Sequence, residues 1–483
     1  MPPRARSLAL CAILLLAYGV MLFAHLDDVA GGSDSSGYLN EARMIASGKT
    51  SERIKPLDFF RLDDSLADLF TPLGYDVTPV AKRVMVPTYP AGLPLHMALA
   101  MFVNEKHAPF YVTPIAAIVS LVLIALLANE LSEWRTPSSA GAATAALTRG
   151  RADEASAPPS IGIAAAIMLA SCPVFIFHSI QPVSDVLATM WAIASIYAAV
   201  KQRPAIAGAA LAIAIWVRPT SVLLAPALLA ALPRNKRAYI QTAIAGAIVL
   251  APLLIWNTKL YGGPFRTGYG SFTDMLALHY FPTRAIHYLK WTGVMLTPFA
   301  ILGAFTKRWL LALWWWPFFL FYCFFESYND WTYTRFLLPA YPALIIATLL
   351  VAQRISPRAL PLIIVITALA FGFYFTKHRG VLQINKLESQ YIAGVQRSSS
   401  IPADALVIAM QMSGARKYYL DDESLRWEWL DADRVAQIEQ HVRPDRWYAV
   451  LFPFEVDEVR KRVPGEWVKI DEYRDITIWH RIR

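Results

Sequence analysis

The chain has 483 residues, of which 56% are hydrophobic and only 17% charged, and it carries a formal net charge of +9 with a pI of about 9.3. That composition leaves too little polar surface to cover a soluble core, so it excludes a water-soluble globular protein and points to a polytopic membrane protein. Cys11, Cys172 and Cys323 all fall inside apolar runs, which leaves no disulfide framework and no metal-ligand spacing.

Apolar runs fall near residues 7–25, 109–130, 160–178, 184–200, 204–217, 219–232, 238–256, 289–306, 309–325, 334–352 and 359–376. Most are long enough to cross roughly 30 Å of hydrocarbon, although 204–217 and 219–232 are short for it. Eleven spans are therefore predicted, with the N-terminus inside and the tail outside. The first run follows Arg4 and Arg6 and is expected to stay as a span, because the residues around Leu22-Phe23-Ala24 make a poor cleavage site.

Charge tests this topology independently, since Lys and Arg accumulate in loops that remain in the cytoplasm. The loops expected inside hold Arg135, Arg149, Arg151, Lys201, Arg203, Arg234, Lys236, Arg237, Lys307, Arg308, Arg354 and Arg358. With the N-terminal arginines they carry 14 basic and 4 acidic residues, whereas the loops expected outside carry 14 and 15, and the tail from Lys377 carries 17 of each. The basic pI is thus a topology signal, and a nucleic-acid partner is not expected.

In chain order, the first external loop spans about 26–107. It contains an amphipathic patch, "PLDFFRLDDSLADLF", and a short apolar piece, "AGLPLHMALAMFV". Counting the latter as a span would invert every later loop, so it is expected to lie on the outer membrane surface. Residues 136–160 are rich in Ala, Ser and Pro and read as a cytoplasmic linker. The fold class that follows is an all-α polytopic bundle over residues 1–376. A small α/β domain follows over 377–483, in which "ALVIAM", "RWYAVLF", "EWVKIDEY" and "ITIWHRI" alternate with helical segments such as "DADRVAQIEQHV" and "FEVDEVRKRV". Asp431 or Asp433 would cap the first of those helices and Pro444 would stop it. The tail is expected to serve as a docking or acceptor-shaping module.

Ionisable groups at the outer ends of the spans are the functional candidates, because they are costly there without water, a partner or a ligand. They are Asp34 in "GGSDSSGYLNEARMIASGK", His178 and Asp185 in "FHSIQPVSDVLATMW", Arg218 in "IWVRPTSVLL", the loop "NTKLYGGPFRTGYGSF" with Tyr269, and Arg335 in "YNDWTYTRFLLPAYPAL". Each has a structural alternative. Asp34 and Asp185 could be helix caps, Arg218 a snorkelling side chain at a turn, and Arg335 the surface partner of Asp330, with Tyr and Trp nearby as interfacial anchors. Lys82 and Arg83 could equally be a solvated charged face. Taken together, one carboxylate on a long outer loop and several arginines at the same depth suit sugar transfer from a lipid-linked phosphate. A base deprotonates an acceptor hydroxyl while cations stabilise the departing phosphate.

The order of "DSSGYLNEARMIASG", "PTYPAGLPL", "PVSDVLATMWAIA", "RPTSVLLAP", "NTKLYGGPFRTGYG" and "RFLLPAYPAL" resembles the GT-C superfamily of integral-membrane glycosyltransferases. Within it, the chain is similar to the polyprenyl-phosphate-sugar branch of protein O-mannosyltransferases and lipid A aminoarabinose transferases. The resemblance covers roughly residues 1–376. It implies that Asp34 is the general base, that Asp185 lines the cavity, and that Arg218 and Arg335 contact the donor phosphate, with Lys82, Arg83, His178 and Tyr269 near the substrate. Protein O-mannosyltransferases pair the loop aspartate with a glutamate, whereas Ser35 follows Asp34 here, which argues against a protein acceptor.

The implied partners are a polyprenyl-phosphate-linked sugar, an acceptor that is lipid, glycan or protein, and the lipid bilayer. No cofactor is expected, a divalent metal being optional. The implied location is the bacterial inner membrane, with chemistry on its outer face. Two other readings stay open: a non-enzymatic protein such as a lipid-linked-sugar transporter, disfavoured by the one-sided charges, and a glycan polymerase or ligase using a diphosphate carrier.

Overall fold

The computed structural model describes residues 3–133, 161–270 and 275–483. The linker expected over 136–160 lies outside the described residues. Each of the eleven apolar runs is helical, and the protein is an all-α polytopic bundle with small sheets beside it. Among the described residues, four helices are long and apolar enough to cross a membrane: Ala108–Glu133, Lys236–Tyr261, Trp331–Ile355 and Ala359–His378. A bent pair, Ile161–Ala170 and Pro173–Ser179, makes a fifth, and the remaining apolar helices have 10–17 residues.

Prolines explain the shorter pieces. The 67° bend precedes Pro173, which cannot donate a backbone hydrogen bond. The run expected at 289–306 divides into Phe281–Leu296 and a short turn and helix from Pro298 to Ala304, because Thr297 adopts φ 72° ahead of Pro298. The run at 219–232 is a 3₁₀ turn, Pro219–Leu224, followed by the helix Ala225–Ala231.

The bundle is built as lipid-facing proteins are. Along Lys236–Tyr261 the side chains Ile240, Ile244, Ile248 and Ile255 are all exposed on an apolar surface, while the opposite side presses on the helix Pro204–Val217. There Gly208 lies against the Thr242 carbonyl so closely that a Cβ would collide with it. Small residues at such contacts let helix backbones approach, and close packing drives association where lipid is as apolar as the core.

At one end of the bundle the 26–107 loop is ordered. It carries the helices Asp34–Ala46, Lys55–Phe59 and Gly92–Met101, together with β1 (Glu52–Arg53), β2 (Tyr75–Val77) and β3 (Val84–Pro87) in an antiparallel sheet of order β1-β3-β2. Leu99, Phe102 and Val103, at the end of the apolar piece expected on the membrane surface, are exposed, while Leu93 and Met97 face inward.

The tail holds β4 (Leu406–Ile408), β5 (Trp447–Leu451), β6 (Trp467–Tyr473) and β7 (Ile476–Arg481) in a sheet of order β4-β5-β7-β6, with β4 parallel to β5 and the other pairs antiparallel. Asp431 caps the helix Ala432–Glu439 by accepting from Arg434 N–H. This sheet does not stand apart from the loop. Ile54, Leu57, Leu62, Leu66 and Phe70 of the loop share one core with Ile408, Trp427, Ile438 and Trp447 of the tail. The buried Lys417 pairs with Glu52 at 2.7 Å and Glu423 at 3.2 Å, joining the two segments across the same seam.

Candidate functional site

Beneath this cap, where the loop meets the bundle, lies a cavity of about 560 Å³. Asp34, Asp185, Arg218, Tyr269 and Arg335 all line it, so five of the eight residues singled out from sequence meet in one place.

Asp34 is not a helix cap. The N-cap position of Asp34–Ala46 is Ser33, which makes no side-chain capping bond. The Asp34 carboxylate turns into the cavity, where Oδ1 accepts from the Tyr89 hydroxyl at 2.8 Å and Oδ2 accepts from Arg335 at 2.7 Å. Gly37 permits this arrangement. A Cβ there would sit 2.4 Å from the Tyr89 ring, so only a bare backbone lets the ring lie alongside the helix. Ser33 Oγ holds the same Tyr89 hydroxyl at 2.7 Å. Burial pushes the Asp34 pKa up, but the Arg335 charge and the hydrogen bonds from Arg335 and Tyr89 outweigh it, and the carboxyl is held below the usual aspartate range.

Arg218 reaches the cavity because Pro219 forces the residue before it out of the helix. Its backbone is extended, at φ −145° and ψ 112°. Its guanidinium pairs with Asp185, whose helix, Ser184–Val200, likewise has no side-chain cap. Both Asp185 and Arg218 therefore face a partner rather than a backbone terminus or a membrane interface. Arg335 stands in the 3₁₀ turn Trp331–Ala340. Asp330, its expected surface partner, instead caps that turn by accepting from Thr332 N–H at 2.9 Å, leaving Arg335 for Asp34. The Phe336 ring lies 5.1 Å from the Arg218 guanidinium and 5.5 Å from that of Arg335. It separates the like charges while attracting both.

Three expected residues do not line the cavity. Lys82 and Arg83 sit over the outer surface of the loop. Arg83 bonds Asp64 and, at 2.8 Å, Asp58, while Lys82 lies 3.4 Å from Asp64, so the local acidic run rather than a ligand neutralises them. They form the solvated charged face that was their alternative reading. His178 is buried with Nε2 against the Thr332 carbonyl at 3.3 Å, behind the Asp34–Arg335 pair. It influences the charge at Asp34 without meeting the cavity.

Residues not singled out from sequence complete the wall. Tyr38 donates to Ser184 Oγ at 2.9 Å, and its ring lies tilted by 36° against that of Tyr89 with centroids 4.6 Å apart; Tyr89 in turn lies edge-on to Tyr269. Arg284, Glu326 and Tyr333 also line the cavity. Tyr38 and Tyr89 were within quoted motifs, and the clue to Tyr89 is its setting between prolines in "PTYPAG", a rigid segment entering the loop. Among the described residues, no group of three or more His, Cys, Asp or Glu is arranged to hold a metal ion.

No protein-family model matches the sequence, and no curated protein matches it. Solved structures do. ArnT from Cupriavidus metallidurans bound to undecaprenyl phosphate superposes with a TM-score of 0.56 at 12% identity, covering 97% of each chain. The apo form of the same protein gives 0.57 at 11% identity, covering 98% of each. The likeness includes the tail as well as the bundle, so over nearly its whole length this chain has the fold of ArnT.

Proposed function

We propose that this protein is a membrane glycosyltransferase that moves a monosaccharide from a polyprenyl-phosphate donor to a hydroxyl of a cell-envelope acceptor, on the outer face of the inner membrane. One observation carries the reading: a carboxylate and two guanidinium groups share a single cavity where the bundle meets its cap. The undecaprenyl phosphate bound to ArnT, a protein of the same fold, supports a lipid-phosphate donor.

In this reading Asp34 takes the proton of the acceptor hydroxyl as its oxygen attacks the anomeric carbon. The bond from that carbon to the phosphate oxygen breaks, and the polyprenyl phosphate leaves with an added negative charge. Arg218 and Arg335 neutralise that charge in a site partly shielded from water, where such stabilisation is strong.

The test uses purified full-length protein in detergent with a sugar-charged polyprenyl phosphate and envelope glycolipid. Wild type is expected to release polyprenyl phosphate and glycosylate the acceptor, and Asp34→Asn to be slower by about 10²–10⁴-fold, the usual worth of a general base. Near-normal turnover by a folded Asp34→Asn protein removes the base. Sugar crossing sealed vesicles without release of polyprenyl phosphate replaces transfer with transport.

A further inference from the structure

The cavity contains the charges a phosphate needs, but two of its three guanidinium groups are already paired with carboxylates. Asp34, Asp185 and Glu326 line it along with Arg218, Arg284 and Arg335, so the wall carries no excess positive charge. Arg335 holds Asp34 and Arg218 holds Asp185. Among the described residues, Arg284 is held only by the Asn329 side-chain oxygen, at 2.7 Å, and Arg218 can turn its remaining N–H groups to a phosphate while Asp185 keeps one, so what a phosphate can open is a carboxylate–guanidinium pair.

Burial decides which pair opens. The Asp185 side chain is 2% exposed, and stripping its partner would leave an uncompensated charge away from water, which is strongly unfavourable. The Asp34 side chain is 32% exposed, so water can take over when its cation leaves. The Tyr89 hydroxyl bond to Oδ1 does not depend on Arg335 and keeps the carboxylate in place. Arg335 also has capacity to spare, since its Nε is buried without a hydrogen-bond partner.

We propose that Arg335 is exchanged between Asp34 and the donor phosphate, so that the base is set free only when lipid-linked donor occupies the cavity. The inference rests on the transferase reading and deepens it by making acceptor activation conditional on donor loading. While Arg335 holds Asp34, the carboxylate is a poor proton acceptor. When the phosphate draws the guanidinium away, Oδ2 is vacated for the acceptor proton. Arg335 is then a phosphate ligand in one state and a restraint on the base in the other. Other groups face Asp34 and remain: Tyr38 from its own helix, Tyr89 from the loop, Tyr269 from the segment opposite, His178 from behind and Tyr333 from the turn that bears Arg335. Of these, His178 is the one whose ordinary titration falls near neutrality, so the readout has to be specific to Asp34.

Infrared difference spectroscopy of full-length protein labelled with ¹³C-carboxyl aspartate supplies that readout, with the Asp34→Asn spectrum subtracted. The titration of Asp34 is followed with and without undecaprenyl phosphate, whose binding is read separately by native mass spectrometry. The lipid is expected to move the Asp34 titration upward by about one to three pH units, the size of a lost carboxylate–guanidinium contact. Arg335→Gln is expected to raise the lipid-free titration by a similar amount and to abolish the further shift. Bound lipid with an unmoved titration in wild type overturns the exchange and leaves the transferase reading intact. Failure of the lipid to bind overturns both.

Discussion

The Asp185–Arg218 pair illustrates how a buried charge is tolerated at the ends of two apolar helices. Neither side chain is more than 15% exposed, and they neutralise one another across 33 residues of sequence. Removing one partner of such a pair costs roughly 3–5 kcal/mol, mostly because the other is left buried and unpaired, whereas replacing both with apolar groups costs much less. Asp185→Leu and Arg218→Met are therefore each expected to lower the unfolding temperature in detergent sharply, and the double variant to lie closer to wild type than the sum of the two losses. Strict additivity would show that the residues do not depend on each other. The individual candidates were legible from sequence because ionisable groups beside apolar runs stand out. Their pairing was not. Asp34 and Arg335 are 301 residues apart, and nothing local marks Asp330 as the cap of a turn rather than the partner of Arg335.

At the scale of the element, the helix Asp34–Ala46 is placed by what it lacks. Gly37 faces both Tyr89 and the backbone of Gly74, and a methyl group there would lie 2.4 Å from the Tyr89 ring and 3.0 Å from Gly74 Cα. The ring cannot swing aside cheaply, because Ser33 and Asp34 both hold its hydroxyl. Gly37→Ala is expected to destabilise the protein by about 1–3 kcal/mol, as overpacking does, and to reduce turnover by displacing Tyr89 from Asp34. Thermal unfolding and a transfer assay check this, and a variant with wild-type values in both would show that the loop yields freely. Element boundaries were readable where chemistry punctuates the chain. Pro204 opens a helix, Pro219 ends its continuation, and Asp431 caps the helix that follows it. The break at Thr297 was less readable, since a threonine at positive φ has no propensity signature and the apolar run continues through it.

At the scale of the whole molecule, the tail is built into the first loop rather than hung from the last helix. Its strands were visible in the alternation of short β-prone runs. Their docking was not, because Arg426 N–H bonding Leu69 O and Asn40 bonding Gly414 O join segments more than 350 residues apart. The helix Ile384–Ser398 makes a similar long-range contact at Gly31, the turn that leads into Asp34. There the Glu388 carboxyl lies over the glycine backbone, close to Asp27. Burial pushes Glu388 up to about 7, far above the usual glutamate value. A carboxyl raised on folding contributes stability in its protonated form. That contribution is complete below the ordinary glutamate pKa of about 4.3 and is lost as pH rises through the folded value. Glu388→Gln fixes the neutral form. The unfolding temperature of the variant is expected to match wild type below about pH 4 and to exceed it increasingly up to about pH 7, above which the gap is constant. A gap that stays flat from pH 5 to 8 would mean that Glu388 is solvated and does not secure the turn beneath Asp34.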